Sequence, residues 1–227
     1  MKITVIAATG GIGRLLLDQA LAAGHETTAV VRNPARLTVD GRPLDGVRVV
    51  TTDLAAADPA RLEAAVDGAD AVLSGLGART AADHGVARRG TDAVIRAMQA
   101  TGARRLVVVS AAPIGTVPTP ARPVPPRHDP GDGFVMRHVL NPLVKTALRA
   151  HYADLALMEE EVLGSALDWT VVRPPRLTDL PLTGRYRTAE GRNIRGGRTV
   201  PRADVAHLML HLPEQPRSVR KIVSIAT

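Results

Sequence analysis

Short apolar segments alternate with longer amphipathic ones through the first half of the chain. The apolar segments are rich in β-branched residues and predict five strands, at residues 2–7, 26–31, 47–51, 70–74 and 104–110. The amphipathic segments between them predict helices at residues 12–23, 58–66 and 83–100. Strands that are apolar throughout are typical of a parallel sheet covered on both faces, so the pattern predicts an α/β fold with a Rossmann-like, doubly wound parallel sheet.

This alternation stops after Ser110. Residues 112–133 are rich in proline and glycine and predict neither a continuous helix nor a central strand. The remaining predicted elements are a helical segment at 134–164 broken at Asn141-Pro142, a strand at 168–173, a helix at 203–212 and a strand at 221–225. We interpret residues 112–150 as a lid or insertion in a single domain spanning residues 1–227, because an insertion after the fifth strand lies at the carboxyl edge of the sheet.

Composition excludes several classes of protein. The chain has 227 residues, of which 45% are hydrophobic and 22% charged, as expected for one globular domain. Aromatic residues make up only 2%, which counts against single-strand nucleic-acid binding, and the absence of cysteine excludes thiolate metal sites and cysteine nucleophiles. The net charge of +7 comes mostly from arginines scattered along the chain, which does not favour a nucleic-acid surface.

The chain also lacks the usual signals for a membrane. No apolar run approaches the ~20 residues that span a bilayer, and the N-terminus does not have the layout of a signal peptide. We therefore expect a cytoplasmic protein whose partner is a small molecule rather than a membrane or a nucleic acid. A monomer and a homodimer are both compatible with the sequence.

The most specific local signal is the glycine-rich segment Ala7-Ala8-Thr9-Gly10-Gly11-Ile12-Gly13-Arg14, which follows the first predicted strand and opens the first predicted helix. Glycines allow a tight turn that brings the backbone close to a pyrophosphate, and the N–H groups and dipole of the helix stabilise its charge. In this context the segment predicts a dinucleotide-binding site, the alternative being a glycine-rich turn without a ligand.

The end of the second predicted strand indicates which dinucleotide. The chain there reads Val30-Val31-Arg32-Asn33-Pro34, without the acidic residue that usually binds the ribose 2′-OH of NAD. Arg32 offers a fork of donors to a 2′-phosphate, so NADP(H) is predicted in preference to NAD(H). A solvated loop arginine is the alternative.

Further motifs along the chain lie at Asp53-Leu54 and at residues 72–77, 108–111, 167–175 and 181–186. Together with the glycine-rich segment and residues 31–34, they resemble the atypical short-chain dehydrogenase/reductase superfamily over nearly the whole chain. The most similar group is the NAD(P)H-binding, NmrA-like one that includes biliverdin-IXβ and flavin reductases.

The resemblance assigns roles by position. It implies that the pyrophosphate is bound by Thr9, Gly10, Gly11 and Ile12, and the 2′-phosphate by Arg32. It places the adenine beside Asp53 and Leu54, and the adenine-side ribose over Gly75, Leu76 and Gly77. It places the nicotinamide ribose or the substrate near Ser110, and the nicotinamide against Pro174, Pro175, Arg176 and Leu177. No metal is implied.

Three departures from the family pattern bear on the chemistry. Ala7 replaces the first glycine of the loop and is expected to crowd the turn slightly. The Tyr-x-x-x-Lys pair of typical short-chain reductases is absent, since Tyr152 is followed four residues later by Ala156. Arg176 stands where biliverdin-IXβ reductases have a histidine, and an arginine cannot shuttle protons.

The remaining candidates for a proton donor are Ser110, Tyr152, His128 and His151, of which the two histidines also fit a solvated loop and a packed helix start. The run Glu159-Glu160-Glu161 predicts a solvated helix face rather than a metal site. The resemblance implies an NADPH-dependent reductase of a small planar acceptor such as a flavin, quinone or enone. A non-catalytic NADP(H)-binding redox sensor, and an isomerase or epimerase with bound nucleotide, are the alternatives.

Overall fold

Twelve strands and five α-helices form the part of the chain that this computed structural model describes, residues 1–39, 42–78, 80, 83–133 and 148–227. The strands are β1 Lys2–Ile6, β2 Glu26–Val31, β3 Thr38–Val39, β4 Arg42–Pro43, β5 Val47–Thr51, β6 Ala71–Ser74, β7 Arg105–Val109, β8 Asp168–Arg173, β9 Arg176–Thr178, β10 Arg187–Glu190, β11 Thr199–Pro201 and β12 Lys221–Ala226. The helices are α1 Gly11–Ala22, α2 Pro59–Val66, α3 Val86–Thr101, α4 Arg149–Gly164 and α5 Arg202–His211.

Eight of these strands form one sheet in the order β10-β12-β8-β7-β6-β1-β2-β5. All neighbours in it are parallel except β10, which runs antiparallel to β12. Val5 in β1 lies opposite Ala29 in β2 on one side and Leu73 in β6 on the other. The direction of winding reverses at β1, and a doubly wound sheet has its ligand crevice at the carboxyl ends of the strands at that point. The predicted Rossmann-like fold is confirmed.

Strand residues point alternately into two hydrophobic layers, one on each face of the sheet. In β7, Val107 and Val109 pack with α1 and α5, whereas Leu106 and Val108 pack with α2, α3 and α4. Because both faces are covered, β6 and β7 are buried along their whole length. This burial explains why their sequences are apolar without alternation.

The long elements begin and end within three residues of their predicted bounds, and α4 begins at Arg149. Residues 134–147 of the predicted broken helix lie outside the described residues. The sequence pattern missed five short strands: β3, β4, β9, β10 and β11. These strands have two to four residues each, too few for a periodicity to develop. Of the helices described, none is long and apolar enough to cross a membrane.

The described part of the proline-rich segment is held by hydrogen bonds. It begins with a 3₁₀ helix, Ala112–Thr116, whose Ile114 is fully buried. Asp129 accepts hydrogen bonds from the backbone N–H groups of Gly131 at 2.8 Å and of Asn193 at 2.7 Å. The interpretation of residues 112–150 as a lid stays a prediction.

A carboxylate of α4 caps the N-terminus of α3. The N-cap residue of α3 is Gly85, which has no side chain to accept a hydrogen bond. The buried Asp154 instead accepts from the N–H groups of Ala87 and Arg88, both at 3.1 Å. This contact joins two helices that lie on the same face of the sheet.

Replacing the capping carboxylate tests its contribution. We expect Asp154→Ala to lower the free energy of unfolding by about 1–2 kcal/mol, because it leaves the first-turn N–H groups of α3 without their acceptor. Chemical denaturation measures the change, and Glu214→Ala, which removes an exposed carboxylate, is the control. Equal stability of Asp154→Ala and the wild type would contradict the capping role.

Candidate functional site

The glycine-rich turn leaves the N-terminus of α1 open to a ligand. Ala7 adopts a left-handed conformation with φ +58°, and its carbonyl accepts a hydrogen bond from Gly10 N at 2.7 Å. Helix α1 then begins at Gly11, with Gly10 as an N-cap that provides no side-chain acceptor. The N-terminus therefore has the features of an anion-binding site.

Two glycines allow the first turn of α1 to approach the residues that follow β1 and β6. A methyl group on Gly13 would lie 2.2 Å from the carbonyl oxygen of Ala7, and one on Gly75 would lie 2.8 Å from Gly13 N. No side chain fits at either position without moving the backbone. A third glycine, Gly90 in α3, leaves room for Leu76 in the same way, at 2.6 Å.

A cavity of about 400 Å³, which we call the glycine-loop cavity, lies above this turn. Twelve of the fifteen predicted cofactor residues line it: Thr9, Gly10, Gly11, Ile12, Arg32, Asp53, Leu54, Gly75, Leu76, Gly77, Ser110 and Leu177. They come from the carboxyl ends of five parallel strands and from β9, which is why they converge although they are far apart in the sequence.

One end of the glycine-loop cavity, beyond β2, is basic. Arg32, Asn33 and Arg36 line it together. Arg32 is 62% exposed, and its Nη1 lies 3.4 Å from Oδ1 of Asp83. Asp83 also accepts a hydrogen bond from Thr80 N at 3.2 Å. The strand-end pattern anticipates neither Arg36 nor Asp83, and Asp83 reaches the site from a loop after β6.

Ser110 directly follows β7 and lines the same cavity. Its backbone N–H donates to Val172 O at 2.8 Å, and the residue is buried. Among the atoms that the structure describes, its Oγ has no hydrogen-bond partner. A buried hydroxyl without a partner is costly, so this atom favours a polar ligand in the cavity.

His151 also lines the glycine-loop cavity. Burial lowers the pKa of its imidazole; the Asp154 carboxylate opposes this shift, and His84 adds to it. The lowered pKa favours the neutral ring at neutral pH. The other predicted histidine, His128, lies in the proline-rich segment and lines neither this cavity nor the next one described.

A second cavity of about 570 Å³, which we call the apolar cavity, adjoins the first. Pro174, Pro175, Arg176 and Tyr152 line it, so of the predicted nicotinamide wall only Leu177 faces the glycine-loop cavity. The boundary between the two cavities runs between residues that are neighbours in the chain, since Ala111 lines the apolar cavity and Ser110 lines the glycine-loop cavity. Burial raises the pKa of Tyr152, so its phenol stays protonated at neutral pH.

A buried ion pair borders the apolar cavity. Arg173 Nε donates to Glu159 Oε1 at 2.9 Å, and a second hydrogen bond joins the same two groups. The prediction of a solvated face for residues 159–161 is therefore wrong for Glu159, because it faces β8 and not solvent. Glu161 does lie at the surface, paired with Arg88 at 3.1 Å. Within the described ranges, no three histidine, aspartate or glutamate residues are grouped to hold a metal.

The comparison with known families bears directly on this geometry. The sequence profile of the NAD(P)H-binding family matches residues 7–216. This range includes the glycine loop and all residues that line the two cavities, except those in β12. The chain belongs to the NAD(P)H-binding family. The NAD(P)H-binding group named in the resemblance is thereby confirmed.

Solved structures of NAD(P)H-binding and related proteins share the fold. An oxidoreductase from Lactococcus lactis, ylbE, is 20% identical with a TM-score of 0.76, covering 100% of this chain and 91% of its own. A short-chain dehydrogenase/reductase from Veillonella parvula in complex with NADP is 18% identical with a TM-score of 0.77, covering 100% and 94%. ChuY, an anaerobilin reductase from Escherichia coli O157:H7, is 23% identical with a TM-score of 0.74, covering 100% and 97%. At these identities the likeness establishes the fold alone.

The left-handed conformation of Ala7 allows the strain in the glycine loop of this NAD(P)H-binding chain to be tested without a ligand. We expect Ala7→Gly to raise the free energy of unfolding by about 0.5–1 kcal/mol, since a left-handed conformation strains alanine more than glycine costs in entropy. Denaturant titration measures the gain. The matched control, Ala64→Gly in α2, should lose about 1 kcal/mol because its helix position is ordinary. A lower free energy of unfolding in both variants would contradict the proposal that Ala7 is strained.

Proposed function

We propose that this protein is an NADPH-dependent reductase that transfers a hydride to a small planar acceptor such as a flavin, quinone or enone. The observation that carries the proposal is the junction of the two cavities. Ser110 and Leu177 line the glycine-loop cavity, and their chain neighbours Ala111 and Arg176 line the apolar cavity. A cofactor in the first cavity and an acceptor in the second would therefore be adjacent.

The residues of the glycine-loop cavity fit a phosphorylated dinucleotide. The open N-terminus of α1 would bind the pyrophosphate, and Arg32 with Arg36 would bind the 2′-phosphate. The unpartnered Oγ of Ser110 would gain a hydrogen bond from or to the bound molecule. Bound NADPH supplies the hydride for the reduction.

Reduction of the acceptor also takes up one proton, which the chain supplies directly or leaves to water. His151 lines the glycine-loop cavity, and burial lowers its pKa. Its ring is therefore mostly unprotonated at neutral pH and is a poor proton donor. The protonated phenol of Tyr152 can instead donate a hydrogen bond to an acceptor oxygen in the apolar cavity. We therefore propose that Ser110 and Tyr152 orient the reactants and that water supplies the proton taken up by the reduced acceptor.

Calorimetric titration of the wild type with NADPH and NADH, followed by turnover with flavin, quinone and enone acceptors, tests this function. We expect tighter binding of NADPH and its net oxidation with at least one acceptor. Binding without turnover of any acceptor would favour the redox sensor. Product formation without net NADPH consumption would favour an isomerase or epimerase. The absence of binding to either nucleotide would overturn the proposal.

The basic end of the glycine-loop cavity gives a prediction about selectivity. We expect Arg32→Ala to weaken NADPH binding about ten- to a hundredfold, because charge-assisted hydrogen bonds to the 2′-phosphate are lost, and to change NADH binding little. Asp83→Asn should strengthen NADPH binding, since it frees Arg32 and removes a like charge beside the phosphate. Calorimetry measures both variants, with Arg217→Ala as an exposed arginine control. Equal losses for NADPH and NADH in Arg32→Ala would contradict the assignment.

A further inference from the structure

Arg202 lies against the glycine loop although it is far from it in the sequence. It is the first residue of α5 and lines the glycine-loop cavity. Its Cδ and Nε atoms both lie 3.1 Å from the point where a methyl group on Gly11 would be. Since α1 begins at Gly11, the guanidinium group is beside the first-turn N–H groups that would face a pyrophosphate.

The backbone at Arg202 is fixed relative to that loop. Helix α5 packs along α1, and Gln19 Nε2 of α1 donates a hydrogen bond to Ala203 O at 3.0 Å. Val205 and Met209 of α5 are fully buried in the same hydrophobic layer as Leu16 of α1. The backbone of Arg202 is therefore held near Gly11 by the packing of α5 on α1.

One anchor orients the side chain and leaves donors available. Nη1 of Arg202 lies 2.5 Å from Oδ1 of Asp179, whose side chain is 89% exposed. Within the described part of the chain, Nε and Nη2 of Arg202 have no hydrogen-bond partner. An ion pair this exposed contributes little to stability, so the contribution of Asp179 that we consider is to orient the guanidinium toward the cavity.

A cation at this end of the cavity would complement the charge of a pyrophosphate. Arg32 and Arg36 lie beyond β2, whereas the N-terminus of α1 carries only about half of an elementary charge. A pyrophosphate carries two negative charges. Arg202 is, among the described residues that line the cavity, the one arginine beside the glycine loop.

We propose that Arg202 binds the pyrophosphate of the dinucleotide, with Asp179 as its positioning residue. The inference rests on the proposed function, since it presupposes a dinucleotide in the glycine-loop cavity. It assigns to α5 and the segment that carries Asp179 a part in cofactor binding. That part is independent of the 2′-phosphate and hence of the choice between NADPH and NADH.

Two ligands separate this role from that of Arg32. NADPH contains both the pyrophosphate and the 2′-phosphate, whereas 2′-AMP contains the 2′-phosphate alone. We expect Arg202→Ala to weaken NADPH about tenfold or more and to leave 2′-AMP unchanged, whereas Arg32→Ala should weaken both. NADPH is titrated by calorimetry, and 2′-AMP by ligand-observed nuclear magnetic resonance up to millimolar concentrations.

Controls keep the outcomes distinguishable. Arg217→Ala removes an equal charge at an exposed site outside both cavities and should bind both ligands as the wild type does. Thermal unfolding checks that Arg202→Ala is folded. If it is not, Arg202→Lys replaces it, and we expect that variant to lose less affinity for NADPH. Wild-type affinity of Arg202→Ala for NADPH, or an equal loss for both ligands, would overturn this inference alone. Failure of the wild type to bind NADPH would overturn the proposed function and this inference with it.

Discussion

The packing of the first turn of α1 against the ends of β1 and β6 is the constraint on which the site depends. Gly13 of α1 lies against the carbonyl of Ala7, and Gly75 lies against the amide of Gly13, with no room for a side chain at either glycine. Because the first turn of α1 meets both strand ends in this way, the helix starts directly at the crevice where the sheet reverses its winding. The depth of the glycine-loop cavity and the access to the α1 N-terminus both follow from this contact.

The arginine-rich composition separates into groups with different physical roles. Arg105 and Arg173 are buried and hydrogen-bonded, Arg173 to Glu159 and Arg105 to carbonyls and the Ser218 hydroxyl. Burial lowers the pKa of Arg105 to about 10, which still leaves it charged at neutral pH. Others form exposed ion pairs that contribute little to stability. Those of the glycine-loop cavity face a concave surface, where a positive charge favours an anionic ligand.

The sequence predicted the fold and most of the glycine-loop cavity because both depend on local signals. A strand, a glycine turn and a helix start occur within one short segment, and strand ends such as Asp53 and Ser110 converge in any doubly wound sheet. Asp83 and Arg202 were missed because each reaches the cavity through a loop or a helix whose position depends on packing. Glu159 was misjudged because the partner that buries it, Arg173, lies on a strand fourteen residues away. Tertiary contacts of this kind leave no periodic pattern in the sequence.

The division into two cavities changes what the missing Tyr-x-x-x-Lys pair implies. That pair serves reactions in which a side chain must move a proton on the substrate, and here Ala156 stands where its lysine would follow Tyr152. The apolar cavity beside Ser110 is lined by prolines, alanines and Ile225 together with polar residues that include Arg176 and Arg198. Its apolar part suits the face of a flat molecule better than a small alcohol. A planar acceptor whose protons exchange with water needs orientation and exclusion of solvent more than it needs an acid. The absence of a Tyr-x-x-x-Lys pair at Tyr152 is thus consistent with the chemistry proposed for the protein.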